Sequence, residues 1–401
     1  KDLKAIVREE AIKYKKHTIN SLKAKKIDNK IDLSNTGNIN FKFKIKEAEY
    51  HLGELYYYEN LNKVAKRKIE FLDSKKYSLL SFKTKIFKNV KSYISENYTK
   101  ETVSQAFLKM YEILEIYDLF DLKNEVLSSF HFCEAPGQFI KACLYYLENK
   151  GKKLDWHAQS LNSKMFSGDV FGDDYGLIKD NPKRWFFGPD NSGDITNIEV
   201  VKSYKSVCQN VSLITSDCGL GSNTNFEMTY QDKRMARINY MQLLAILYNL
   251  PAGGNFVAKV FLPQSVNYLV SLNYIISKSF KNFYIYKPYL NPGSSEVYLV
   301  GKNYKPLSQK MLDYLFEKSK DLKIEKGFIH IPRPFLDKYS KLVSKLLKNN
   351  LEKIIMNLSF YKEKYRFDKE ELKDIYEDNV QFWIKLFNFP KVEKNLDDYF
   401  K

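Results

Sequence analysis

The chain has 401 residues, enough for one large domain with extensions or for two domains. Hydrophobic residues make up 44% and aromatics 15%, which supports a packed core and excludes a disordered or fibrous chain. A net charge of +17 points to a polyanionic partner such as a nucleic acid, although a composition biased to Lys, Asn, Ile and Tyr gives the same excess.

Residues 1–98 are Lys-rich and carry short amphipathic pieces such as 52–72, with no chemical motif. They read as a basic, mainly helical N-terminal extension, either an arm presenting lysines to RNA or a solvated charged face. Thr99 is suited to cap a helix with Glu101 in its first turn, and Val103, Phe107, Met110 and Leu114 recur at helical spacing. An apolar strand over 127–133 then runs into a Pro-Gly turn and a helix ending near 147. Strands follow at 154–158 and 211–217, then a helix over 227–250 that Pro251-Ala252-Gly253-Gly254 terminates. Next come a strand over 255–261, a helix over 266–279 and strands over 283–287 and 296–300. Strands alternating with helices predict an α/β fold, a mostly parallel sheet with helices on both faces. The short Pro-Gly loop between the last two strands predicts an antiparallel hairpin at the sheet's edge. Helices over 307–318, 335–351 and 369–387 complete the pattern. The expected organisation is an N-terminal extension over 1–98, an α/β domain over 99–304 and a helical C-terminal extension over 305–401.

Cys133, Cys143, Cys208 and Cys218 show no CxxC pairing and no His at zinc spacing. They read as buried thiols in a reducing compartment, and no metal is expected. No apolar run approaches the ~20 residues of a membrane helix. The charged start, Lys1-Asp2-Leu3-Lys4, has no signal-peptide core, and without an initiator Met it reads as trimmed or cut from a longer chain. The expected location is cytosolic or nuclear, with no membrane partner.

The candidate chemistry lies at strand ends. In Cys133-Glu134-Ala135-Pro136-Gly137-Gln138-Phe139 an acidic residue and a Pro-Gly turn precede a helix, which suits a nucleoside-like ligand because glycine lets the backbone approach it. Asp217 ends one strand, Lys259 lies on the strand after Gly253-Gly254, and Glu296 opens an antiparallel strand, so topology places all three on one rim. Lys109, on the helix before the first strand, is within reach of it. Two lysines and two carboxylates suit deprotonation of a weakly acidic hydroxyl. Burial and a second ammonium are expected to lower the pKa of Lys259, while the carboxylates restrain the shift and orient the amine.

Residues 127–300 resemble the FtsJ-type family of S-adenosylmethionine-dependent RNA ribose 2′-O-methyltransferases. The Phe132–Phe139 phrase is similar to the family's cofactor motif, and Lys109, Asp217, Lys259 and Glu296 match its catalytic tetrad in order and context. The likeness is strongest in Ala-Phe-Leu-Lys109-Met-Tyr-Glu, Gly-Gly-Asn-Phe-Val-Ala-Lys259-Val-Phe and Ser-Ser-Glu296-Val-Tyr-Leu-Val. Gly193-Asp194-Ile195-Thr196 resembles an element of the mRNA cap 2′-O-methyltransferase branch, in which the Asp lies by the cofactor's adenine. Where the family pattern has Gly, this chain has Gln138. The resemblance implies a Rossmann-like methyltransferase sheet and S-adenosyl-L-methionine as cofactor, held by residues 133–139, Asp194 and Asp217. It implies RNA, in particular a capped mRNA 5′ end, as acceptor, with Lys259 as base and Lys109, Asp217 and Glu296 positioning it. Ribosomal or transfer RNA, and a silent RNA-binding scaffold, are the alternatives. Capping or transcription machinery is an implied partner. Likeness to FtsJ-domain proteins of large cytoplasmic DNA viruses implies host cytoplasm or virion. Lys233, Arg234 and Arg237, on one helix, are candidates for RNA phosphates. Tyr175, Trp185, Phe186 and Phe187 are candidates for base stacking or, more simply, for packing.

Overall fold

The strands in chain order are β1 (Lys30–Asp32), β2 (Ile45–Ala48), β3 (Val126–Phe132), β4 (Lys153–Gln159), β5 (Trp185–Phe186), β6 (Leu213–Ser216), β7 (Asn255–Phe261), β8 (Phe280–Tyr286), β9 (Glu296–Tyr304) and β10 (Gly327–Ile329). The helices are α1 (Gly53–Glu70), α2 (Ser74–Lys83), α3 (Val90–Asn97), α4 (Gln105–Tyr117), α5 (Gln138–Glu148), α6 (Leu177–Asp180), α7 (Ile198–Ser203), α8 (Gln231–Asn249), α9 (Asn267–Ser279), α10 (Gln309–Ser319), α11 (Arg333–Lys362) and α12 (Lys369–Leu386). The computed structural model describes residues 17–34, 42–98, 103–166, 172–219, 231–321 and 326–391, and only the backbone of 231–234.

Local chemistry sets the starts of these elements. Helix α4 is capped by Ser104, whose Oγ accepts from Phe107 N at 3.0 Å; Thr99 and Glu101 lie outside the described residues. It stops at Asp118, whose φ of 47° breaks the helical path. Helix α11 runs well past the predicted end. Buried Asn357 interrupts its apolar periodicity, yet its amide oxygen is satisfied by the Thr84 hydroxyl at 2.7 Å.

The main sheet has the order β1-β8-β9-β7-β6-β3-β4-β5. Strands β7, β6, β3, β4 and β5 run parallel; β9 is antiparallel to both β7 and β8. The β8–β9 hairpin therefore stands where expected, but it is not outermost. Strand β1 pairs antiparallel with β8, with Ile31 opposite Ile285, and covers the edge. The N-terminal segment thus contributes strands as well as helices, and β2 pairs with β10 from the C-terminal segment in a second, small sheet.

Helices cover both faces of the main sheet. On one side α8, α9, α10 and α11 bury Tyr240, Leu272, Leu315 and Tyr339 against Phe256, Phe283 and Leu299. On the other, α4, α5 and α12 bury Met110, Tyr145 and Trp383 against Leu213, Val257 and Val300. Each such large apolar side chain stabilises the fold by about 1.5–3 kcal/mol when fully buried. Among the described residues no helix is long and apolar enough to cross a membrane.

Candidate active site

Strand order reverses at β3, which has β4 on one side and β6 on the other. The crevice beyond the carboxyl ends of β3 and β6 is where an open α/β sheet binds a ligand. The turn from Cys133 to Phe139 lies there. Gly137 opens α5 with a φ of +110°, and a Cβ on it would come within 2.3 Å of Leu177 Cδ2. Only glycine fits that backbone without strain. Glu134 points inward: its Oε1 accepts from Phe139 N at 2.8 Å and Ile140 N at 3.0 Å, so it caps α5. Burial raises its carboxyl well above the usual range despite those bonds. Its other oxygen has no hydrogen-bond partner among the described residues, with His131 Nδ1 4.0 Å away. Ala135 donates its N–H to Ser160 Oγ at 3.2 Å, and Phe139 packs against the Tyr298 ring. The Ala135–Pro136 bond is cis.

Gln138 is buried and accepts from Ser104 N at 3.2 Å, so the residue that departs from the family's glycine ties this turn to the start of α4. Its Nε2 is buried without a partner among the described residues. Gln159, at the end of β4, accepts from Cys133 N at 3.0 Å and donates to Gly193 O, linking the turn to the Asp194 loop. A Cβ on Gly193 would lie 1.9 Å from Ser160 O, so backbone packs on backbone here. Asp194 Oδ1 accepts from Thr196 N at 2.8 Å and Thr196 Oγ1 at 2.7 Å.

The reading of four free thiols needs correction. Cys133 and Cys218 form a disulfide, Cα to Cα 4.9 Å, while Cys143 and Cys208 are buried and free. They stand 85 residues apart, a spacing that no short cysteine motif signals. They meet because β3 and β6 are neighbours in parallel register, with Phe132 beside Ser216.

The four charged candidates converge on the same edge as two ion pairs. Lys109 Nζ lies 2.7 Å from Glu296 Oε1, and Lys259 Nζ lies 2.7 Å from Asp217 Oδ1 and 3.1 Å from Asp217 O. The pairs feel each other, because Glu296 also acts on Lys259 and Lys109 on Asp217. Gly219 leaves room for the Lys259 amine, from which a Cβ there would be 3.2 Å.

Burial would push Lys259 down, but the carboxylates of Asp217 and Glu296 outweigh it and hold its pKa above the ordinary lysine value. This reverses the expected direction. No single contact does this: burial is the largest influence on the amine, and the Asp217 carboxylate at 2.7 Å, the Glu296 carboxylate and the hydrogen bond to Asp217 exceed it only together. Burial raises the Asp217 carboxyl, and Lys259 only partly offsets this. Burial also acts to raise Glu296, yet Lys109 and Lys259 bring it down to about 2.

Sequence reasoning missed three residues that shape this rim. Tyr298 donates to Glu296 Oε1 at 2.8 Å; lying two residues along β9, it shares a face with Glu296, and the strand period signals that. Lys287, just beyond β8, donates to the carbonyls of Ser294 and Glu296 and so holds the start of β9; burial lowers its amine to about 7. Glu112, one turn along α4 from Lys109, accepts from Trp383 Nε1, Tyr286 OH, Tyr289 N and Leu290 N at 2.8, 2.7, 2.8 and 3.2 Å. No local sequence signal marks it.

The remaining candidates divide. Arg237 is exposed on α8, and the side chains of Lys233 and Arg234 lie outside the described residues. Trp185 is buried edge-on against Trp156, and Phe186 packs on Phe130 and His157. Tyr175 is exposed, with the Lys141 amine 4.3 Å from its ring centre.

A doubly covered α/β sheet with a glycine-bearing turn at its switch point and a charged rim beside it defines a nucleotide-type ligand site on a Rossmann-like fold. Residues 102–304 match the model of the FtsJ-like methyltransferase family, and the chain belongs to that family. S-adenosylmethionine is accordingly its cofactor. An uncharacterized protein of Acanthamoeba polyphaga mimivirus is 36% identical over 316 residues, 76% of this chain and 39% of that protein. The mouse cap-specific mRNA (nucleoside-2′-O-)-methyltransferase 2 is 27% identical over 325 residues, 76% of this chain and 41% of that protein. A probable methyltransferase of African swine fever virus is 30% identical over 233 residues, 54% of this chain and 53% of that protein. The chain spans about two-fifths to one-half of the length of these relatives.

Proposed function

We propose that this chain transfers a methyl group to the 2′-hydroxyl of an RNA ribose, at the first nucleotide of a capped mRNA. The observation that carries this reading is the pair of crossed ion pairs, Lys109–Glu296 and Lys259–Asp217, on the rim beside the β3–α5 turn. The mouse relative, a cap-specific mRNA methyltransferase by name, and the viral relatives favour capped mRNA over ribosomal or transfer RNA. In this reading the chain acts in the cytoplasm alongside capping or transcription machinery.

The residues present suit S-adenosylmethionine. Glu134 Oε2 and Gln138 Nε2, in the turn at the switch point, are buried polar atoms with no hydrogen-bond partner among the described residues. In this reading residues 133–139, Asp194 and Asp217 hold the cofactor, which supplies an electrophilic methyl on a positively charged sulfur. Lys259 takes the hydroxyl proton; while protonated, it donates to the acceptor oxygen and fixes its place. Asp217 aims the amine, and Glu296, itself held by Lys109 and Tyr298, keeps the acceptor in line.

The test is methyl transfer from labelled cofactor to short capped and uncapped RNA, with the modified nucleotide mapped. Lys259→Ala should reduce transfer by about 10²–10⁴-fold with little change in cofactor affinity. Full transfer by that variant would sink the assignment of Lys259.

A further inference from the structure

A strongly basic surface lies outside the rim. Residues 63–91 hold ten Lys and Arg against Glu70 and Asp73, a surplus of eight that is nearly half of the chain's +17. Helix α2 within this stretch has no buried residue. Lys75, Lys76, Lys83 and Lys85 are exposed, and large apolar side chains stand among them: Phe71 is 88%, Leu79 59% and Phe82 54% exposed. Lys75, Leu79 and Phe82 recur at helical spacing on one face. The amines of Lys88 and Lys85 lie 4.9 and 6.0 Å from the Phe82 ring centre. Ammonium groups interleaved with open rings suit a strand that offers both phosphates and base faces.

Three connections join this surface to the rim. Lys353 of α11 donates its amine to Thr84 O, at the end of α2, and its stem packs on Gly293, where a Cβ would lie 2.9 Å from Lys353 Cγ. Gly293 belongs to the loop that opens onto Glu296. On α1, Glu59 accepts from Ser265 Oγ at 2.7 Å, in the turn that follows β7 and its Lys259. Further along α1, the charge of Lys66 is felt by Lys287, whose amine holds Glu296 O at 2.8 Å. The basic face therefore begins beside the rim and leads away along α1 and α2.

We propose that the α1–α2 face is a track for single-stranded RNA, holding the nucleotides that extend from the acceptor ribose by pairing phosphates with its lysines and by base stacking on Phe82. The proposal rests on the reading of RNA as the methyl acceptor. Because the face adjoins the rim that receives that acceptor, RNA fits it better than an anionic membrane does.

The test measures binding by fluorescence anisotropy, across a salt series, for unmodified single-stranded RNAs of about 4 and about 20 nucleotides. The wild-type chain should bind the longer RNA more tightly. Combining Lys75→Gln, Lys76→Gln, Lys83→Gln and Lys85→Gln should weaken the longer RNA by about ten-fold or more. It should flatten the log K against log salt slope by about 0.7 for each phosphate no longer neutralised, and leave the short RNA unaffected. Phe82→Ser, at an exposed site that the fold does not need, should cost about five-fold or more for the longer RNA. A matched set at the opposite edge of the sheet, Lys123→Gln, Lys153→Gln, Lys281→Gln and Lys302→Gln, should lose far less. The track is overturned if the α2 set and Phe82→Ser both bind the longer RNA as the wild type does. It is equally overturned if the control set loses as much, or if this face binds anionic lipid vesicles and no RNA. Length-dependent RNA binding without methyl transfer would instead reject the acceptor reading and leave the track standing.

Discussion

Lys259 sits between opposing influences, and the outcome has a kinetic signature. A buried ammonium tends to lose its proton, but Asp217 at 2.7 Å and Glu296 nearby hold that proton on. In the proposed reaction Lys259 is the base; a base acts only when unprotonated, and below its pKa the unprotonated fraction falls ten-fold for each pH unit. Because the pKa in the free protein lies above the ordinary 10.5, kcat/KM for methyl transfer should climb about ten-fold per pH unit through the neutral and mildly alkaline range, without levelling. A plateau near pH 8 in a pH–rate profile would contradict this. Glu296 has the opposite balance: burial acts against its charge, but Lys109 and Lys259 prevail, so it is ionised throughout that range and adds no limb of its own. The positions of Asp217 and Glu296 at strand ends were legible, since strand boundaries and chain direction fix a sheet's edges. The sign of the Lys259 shift was not. It depends on distances of a few ångströms between residues far apart in sequence.

Elements meet at the switch point, and the link between them is covalent. The disulfide from Cys133 to Cys218 joins the ends of β3 and β6 and closes a loop of 85 residues. Loop closure over that length stabilises by about 4.5 kcal/mol through the unfolded chain. A dithiol reductant should therefore lower the denaturant midpoint of the wild-type chain, and the double variant Cys133→Ser, Cys218→Ser should show the lower midpoint with no further response to reductant. Equal midpoints for the wild-type chain with and without reductant would remove the stabilising role. At this scale the alternation of strands and helices was readable, because side-chain period and turn residues are local properties. The covering of β8 by β1 was not, since a three-residue strand has too few positions to show a period.

At the scale of the whole molecule, the terminal segments are built into the core around the site. Trp383 of α12 is fully buried and donates its indole N–H to Glu112, on the helix that carries Lys109. Phe389 stacks on Tyr145 at 5.2 Å and meets Tyr111 at 4.7 Å. Removing residues 366–401 should therefore open the core on that side of the sheet and leave Glu112 buried without its indole donor. Each large core aromatic removed costs about 3–5 kcal/mol, and a natural domain has about 5–15 kcal/mol in all. The truncated chain should show no cooperative thermal transition by circular dichroism; a sharp transition near that of the intact chain would place α12 outside the stabilising core.

By itself the sequence determined the class of fold, the turn at 133–139 and which charged residues stand at strand ends, because these follow from periodicity, turn chemistry and chain direction within short stretches. Only the tertiary structure decided that Lys109 pairs with Glu296 across 187 residues, that Cys133 meets Cys218, and that Gln138 anchors the start of α4. Those outcomes depend on which strands become neighbours and how closely they pack. Charge balance and burial at a given atom exist only once the chain has closed around it.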